Sequence, residues 1–212
     1  MSRFDVVIRN GTIVDGRRMP RFRGDIGITS SRAAEQPCTT SQSVCRRARS
    51  GGAPEVDDEL IATVGFYVST LAVPGRRAID DHVRRGARVF AEAGCGGCHT
   101  PAQRTGEIAN LAVSPQTINP FSDLLVHDMG SLLADGRADG QASGTEWRTP
   151  PLWGIGNIEP INGHTRFLHD GRARDLAEAV LWHAGEAQDS REVFRLAPAD
   201  DRAALVAFLR SM

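Results

Sequence analysis

The chain has 212 residues, 41% of them hydrophobic and 24% charged, and carries a formal net charge of -1. At about 150 residues per domain this is one globular unit with room for an appendage, and the composition excludes a disordered acidic tail. The charge balance gives no electrostatic case for nucleic acid, and no apolar run reaches the ~18 residues of a membrane span; all 25 basic residues are Arg, so lysine mechanisms are excluded as well.

Residues 1–28 read as β-structure. Phe4–Arg9 is a strand, Asn10-Gly11 is a two-residue hairpin signal, and Thr12-Ile13-Val14 returns, with Asp25–Ile28 as a further strand. Residues 29–54 are rich in Ser, Thr, Arg, Gly and Ala without periodicity and read as linker or disordered chain. From residue 55 the pattern turns helical. Leu60, Ile61, Val64, Tyr67, Val68 and Leu71 predict a helix over 57–71, stopped by Pro74-Gly75. A second helix is predicted over 79–93, with Asp80 and Asp81 at its start and Val83, Ala87 and Phe90 along one face. Residues 100–174 carry little regular pattern, which in a compact domain is explained by wrapping a large apolar cofactor. A third helix is predicted over 176–187, with Asp175 and Glu178 at capping-box spacing and Leu176, Val180 and His183 on one face. A fourth covers 199–211, with Ala204, Leu205, Phe208 and Leu209 inward. The expected class is mainly α.

The cysteines carry the chemistry. Cys95-Gly96-Gly97-Cys98-His99 is a C-x-x-C-H run, the attachment signature of a c-type haem. Each thiol forms a thioether with a haem vinyl group, and the adjacent imidazole reaches the iron from the proximal side. Zinc usually needs a second, similarly spaced pair, and Cys38 and Cys45 are a poor match for one. A thioredoxin-like pair opens a helix after a strand, whereas this motif follows a helix. An ordinary disulfide is the remaining alternative.

A haem held by His99 leaves one axial position. Filled by protein, the site carries electrons; open, it can bind peroxide or another small ligand. The imidazole candidates are His82, His127, His164, His169 and His183, and the internal thioether candidates are Met19 and Met129. His183 stands on the apolar face of a capped helix, and Met129 lies in the loop-like His127-Asp128-Met129-Gly130. On pattern alone both stay open.

Residues from about 54 to 212 resemble the C-terminal haem domain of bacterial di-haem oxidoreductases, relatives of di-haem cytochrome c peroxidase and of the methylamine-utilisation maturation protein. The resemblance rests on Leu71-Ala72-Val73-Pro74 with Arg76-Arg77, the Cys95–His99 run, Asp123–Gly130, Glu146–Gly154, Leu168–Ala173 and Glu178–His183. It implies a cytochrome c-like helical domain over 55–212 wrapped around one covalent haem c. In the relatives the distal ligand follows a His-x-Gly motif by fourteen residues; that motif begins here at His169, and fourteen residues on stands His183. The implied site is therefore Cys95 and Cys98 for attachment, with His99 and His183 on the iron. Members carry two C-x-x-C-H motifs and this chain has one. Their interdomain calcium pattern is not matched at His164-Thr165-Arg166 and is not carried over. Residues 1–28 resemble the opening β-hairpin of amidohydrolases such as N-acyl-D-amino-acid deacylases, without the metal-binding His motifs that follow there.

The expected function is electron transfer to a redox partner protein or second haem domain, with Trp147, Trp153 and Trp182 packed around the porphyrin. The alternatives are a peroxidase-type oxidoreductase, with His127 and Asp128 as acid–base candidates, and a non-functional fused or truncated remnant in which Cys38 and Cys45 belong to the junction. Thioether attachment takes place outside the cytoplasm, so a periplasmic location is expected, although residues 1–30 lack the apolar core of a secretory leader.

Overall fold

The computed structural model describes residues 6–13, 22–28, 56–107 and 114–212. The expected linker at 29–54, Cys38, Cys45 and Met19 lie outside the described residues. The chain divides into two compact units, with the division of the helical part between Leu71 and Ala72. Among the described residues the helical majority predicted from the sequence is present, in six α-helices with small two-stranded sheets.

In the first unit β1 (Val6–Ile13) pairs antiparallel with β2 (Phe22–Ile28). Asn10-Gly11, expected as the turn, lies inside β1, and the register shifts between Ile8 and Gly11. The three-residue step on β1 faces a two-residue step on β2, so the pair marks a bulge, a place where glycine is tolerated in a strand. Helix α1 (Asp58–Thr70) starts at Asp57, whose side chain accepts from the Leu60 N–H at 2.7 Å. It ends four residues before the expected Pro74 stop. In its last turn the Ser69 and Thr70 hydroxyls bond the Phe66 carbonyl. Its apolar residues Leu60, Val64 and Tyr67 are exposed.

The second unit is built on α2 (Asp81–Glu92) and α6 (Ala199–Arg210). Asp80 caps α2 by accepting from Val83 N–H at 2.8 Å. The predicted stripes are buried: Val83 and Phe90 on α2; Ala204, Leu205, Phe208 and Leu209 on α6. The two helices meet at Gly86, where a Cβ would lie 1.9 Å from the Ala204 carbonyl oxygen and 2.7 Å from the Phe208 Cβ. Phe90, Phe121 and Phe208 fill the space beside this crossing, with ring centroids 5.3 to 5.9 Å apart. The C-terminal end of α6 is tied down by Arg77 N–H to Ser211 O at 2.8 Å and Gly156 N–H to Met212 O at 3.1 Å.

The described residues of 100–174 are sparse in regular structure, as expected, but not empty. They hold the pairs β3 (Gln103–Arg104) with β4 (Thr117–Ile118) and β5 (Val126–Asp128) with β6 (Glu146–Arg148), and the short α3 (Ile158–Asn162). Strands of two or three residues are too short to show alternation in a sequence.

Helix α4 is Leu176–Leu181, shorter than the predicted 176–187. Asp175 caps it by accepting from Glu178 N–H at 2.8 Å; Glu178 reaches back one residue further than a capping box requires, to Arg174 N–H at 2.8 Å. Beyond Trp182 the chain turns, and Gly185 takes φ +55°. Helix α5 (Gln188–Leu196) was not foreseen; eight of its nine residues are not buried, and Phe194 alone anchors it.

The α2–α6 crossing makes a direct prediction. Gly86→Ala places a methyl group into backbone and should destabilise the fold by about 1–3 kcal/mol or more. Gly75→Ala, where a Cβ meets nothing within 4 Å, should stay near wild type. Urea unfolding of both variants checks this; equal midpoints would contradict the packing described.

Candidate functional site

Helix α2 leads through Ala93 and Gly94, which takes φ +75°, into a 3₁₀ turn at Cys95–Gly97. His99 N–H donates to Cys95 O at 2.9 Å, so the five-residue run closes on itself. Cys95 and Cys98 are free thiols. Burial pushes the Cys95 thiol up to about 11, and burial also raises Cys98, with Asp123 and Glu186 adding to it. A reactive redox pair needs the opposite shift, toward thiolate.

A second segment grips this loop. Phe121 O faces His99 Nδ1 at 3.0 Å, Ser122 N–H donates to Thr100 O at 3.0 Å, and Asp123 N–H donates to Cys98 O at 2.8 Å. Phe121 and Leu124 reach this geometry with φ of +53° and +63°, a left-handed conformation that costs bulky residues about 1–3 kcal/mol each. Ser122 is fully buried and steadies the bend, donating through Oγ to Thr149 O at 2.8 Å and accepting from Leu124 N–H at 2.9 Å.

His183 does not sit on the helix assigned to it from sequence. It follows the end of α4 by two residues, its N–H bonded to Val180 O at 3.1 Å and its Nδ1 facing Ala179 O at 2.8 Å. A carbonyl only accepts, so Nδ1 carries the proton on both His99 and His183, and Nε2 is left as the lone-pair nitrogen on both rings. Burial pushes His99 down to about 4, against the opposing pull of the Phe121 carbonyl, and burial lowers His183 as well. Both rings are therefore neutral, the form that binds a metal.

The two imidazole rings lie with centroids 6.4 Å apart and planes at 51°. Metal–imidazole bonds of about 2 Å on opposite sides of one ion put the ring centroids at about 6 Å. Rings on opposite ends of one axis are free to rotate about it, so the tilt is compatible. The residues present therefore fit a haem: two thiols, a neutral imidazole immediately after them, and a second neutral imidazole at trans-axial separation.

The other candidates are placed as follows. His127, in β5, has both ring nitrogens on carboxylates: Nε2 to Asp123 Oδ2 at 2.9 Å and Nδ1 to Glu186 Oε2 at 2.8 Å. Bonding to Glu186 and then to Asp123 raises its pKa above the ordinary value, with burial opposing. Burial acts to raise Asp123, but the Leu125 N–H, His127 and Thr149 outweigh it and hold the carboxyl low. Cys98, Asp123 and His127 bring three potential metal-ligand atoms within 4.8 Å of one another. Both His127 nitrogens are already taken by carboxylates in this cluster. Asp128 closes a turn, accepting from Gly130 N–H at 2.7 Å. Met129 is held through its backbone, N–H to Thr145 O at 2.9 Å.

His169 stacks on Trp147, with centroids 3.5 Å apart, and Trp147 Nε1–H donates to Leu133 O at 3.1 Å. Arg172 lies over Trp182 at 5.0 Å. His164 accepts from Arg166 N–H at 3.1 Å, and His82 lies exposed in the first turn of α2. Asp123 and Glu186 are the site residues that sequence reasoning missed. Asp123 opens a motif that was noted; Glu186 had no signal beyond standing three residues after His183.

A family model described as "Di-haem oxidoreductase, putative peroxidase" matches residues 2–212. The match takes in the N-terminal stretch with amidohydrolase resemblance. Comparisons with curated proteins and with solved structures give no match.

The His127 clamp predicts a pH dependence. Its folded pKa is raised above the unfolded ~6.5, so the stabilisation is complete below about pH 6.5 and is lost as pH rises through the folded value. The gap in urea midpoint between wild type and His127→Ala should narrow from about pH 6 to about pH 9. A gap that does not change would contradict the charged clamp.

Proposed function

Because the chain belongs to the di-haem oxidoreductase family, a haem redox family, we propose that Ala72–Met212 form a c-type haem domain that carries electrons. In this reading Cys95 and Cys98 would hold one haem c through thioethers, and the Nε2 atoms of His99 and His183 would bind its iron. The observation that carries the reading is the pair of neutral imidazoles at 6.4 Å, each pinned at Nδ1 by a backbone carbonyl. The haem supplies a one-electron couple, which two imidazole ligands set lower than a His/Met pair does.

The protein's part is to hold and insulate. The Phe121 and Ala179 carbonyls fix each ring's tautomer and make its Nε2 a better donor. The segments bearing the rings are bonded on both sides, so little rearrangement accompanies a change of charge. Phe90, Phe121 and Phe208 pack together beside His99 and would shield that side of the haem from water. The partner is a redox protein or a second haem domain, and the proposed compartment is the periplasm, where thioethers form. No helix among the described residues is long and apolar enough to cross a membrane.

A peroxidase reading at this haem would need an open iron and a free acid–base group. His127 does not serve as that group in the arrangement described, because both its nitrogens are engaged.

The test is the absorption spectrum of the chain co-expressed with a cytochrome c maturation system and an added secretion leader. One haem per chain should remain attached after denaturation. The spectrum should be low-spin in both oxidation states and turn high-spin in His183→Ala. Absence of covalent haem would overturn the reading, and so would a spectrum that His183→Ala leaves unchanged.

A further inference from the structure

Strand β5 is bonded directly to the turn after His183, and it reaches the His99 loop through Asp123, three residues before the strand. On the His99 side, His127 Nε2 meets Asp123 Oδ2 at 2.9 Å, and Asp123 N–H donates to Cys98 O at 2.8 Å. On the His183 side, Glu186 stands three residues downstream in the turn Gly185–Ala187 and takes two bonds from β5. They come from His127 Nδ1 at 2.8 Å and from Asp128 N–H at 2.9 Å. Backbones touch here as well: a Cβ at Gly185 would lie 2.1 Å from the Asp128 carbonyl oxygen. The His127 side chain thus links Asp123, which grips the Cys98–Thr100 loop, to Glu186 in the His183 turn. Its neighbour Asp128 alternates to the other face of the strand and cannot do this.

We propose that His127 is a positioning residue that fixes the distance between the His99 and His183 rings, and so keeps His183 within reach of the iron. The proposal rests on the bis-imidazole reading above and deepens it. The last turn of α4 is short, and the residues after it are held to the rest of the site through Glu186 and Gly185. Without the His127 bridge one of those two ties is weakened. The His183 turn then has an open arrangement available, in which the distal position is free for an added ligand. A two-state turn of this kind shifts its population according to the strength of the bridge.

The experiment uses the haem-loaded ferric full chain. Spin state is read by absorption and electron paramagnetic resonance, and the association rate of cyanide reports how often the distal position opens. In His127→Ala a high-spin fraction should appear and cyanide should bind about tenfold faster or more, in proportion to the open population. Glu186→Gln, at an exposed position, should shift both readouts in the same direction and supplies the test if His127→Ala does not fold. Asp80→Ala removes the cap at the far end of α2 and should lower stability without moving either readout. His183→Ala sets the fully open limit. Low-spin spectra and wild-type cyanide rates in the two bridge variants, with a high-spin His183→Ala, would overturn the proposal and leave the ligation reading intact. A His183→Ala spectrum identical to wild type would overturn both. Equal shifts in Asp80→Ala and His127→Ala would reduce His127 to general stability and overturn the proposal.

Discussion

At Gly86 the backbones of α2 and α6 come so close that a methyl group would lie 1.9 Å from the Ala204 carbonyl oxygen. That approach seats α2 on α6, and the Cys95–His99 turn begins three residues after α2 ends. It also presses Phe208 against Phe90 and Phe121, whose carbonyl holds the His99 ring. A looser crossing would still leave a helical unit, but the proximal ring would lose its reference point. The arrangement is steep in consequence because interiors pack at crystal-like density and transmit small displacements.

The site itself is held by backbone carbonyls and a strained bend more than by charges. Phe121 and Leu124 accept left-handed geometry so that three successive residues can bond the Cys98–Thr100 loop. Strain of this kind persists only where surrounding contacts over-determine it, and buried Ser122, bonded on both sides, is the residue that does so here. Charge enters one step further out. The His127 imidazolium lies between Asp123 and Glu186 and ties the two ring-bearing segments through side chains the rings do not touch.

Much of this was legible in the sequence where the signal is local. The Cys95–His99 run is contiguous, and α2 and α6 fall within two residues of their predicted bounds because their stripes and first-turn acids are clear. Asp175 was correctly read as a cap. The third helix was overrun by six residues, since Glu186 and Ala187 are good helix formers and only the close approach of Asp128 to Gly185 shows why the chain turns. The structure thus brings His183 beside His99 without the helical platform that the pattern predicts. Asn10-Gly11 misled for the converse reason: a strong turn dipeptide is equally at home in a bulge. The partners of His127 were hidden because Glu186 lies 58 residues beyond Asp128, a separation at which sequence carries no pairing signal. Asp128, the adjacent acid, points to the wrong face.

The proposed haem site depends on which atom would complete the coordination of its iron. Near-infrared magnetic circular dichroism of the ferric protein distinguishes imidazole from thioether as the distal ligand. Bands of a bis-imidazole haem are the predicted result. A sulfur-to-iron band would assign the position to a methionine such as Met129 and contradict the central claim.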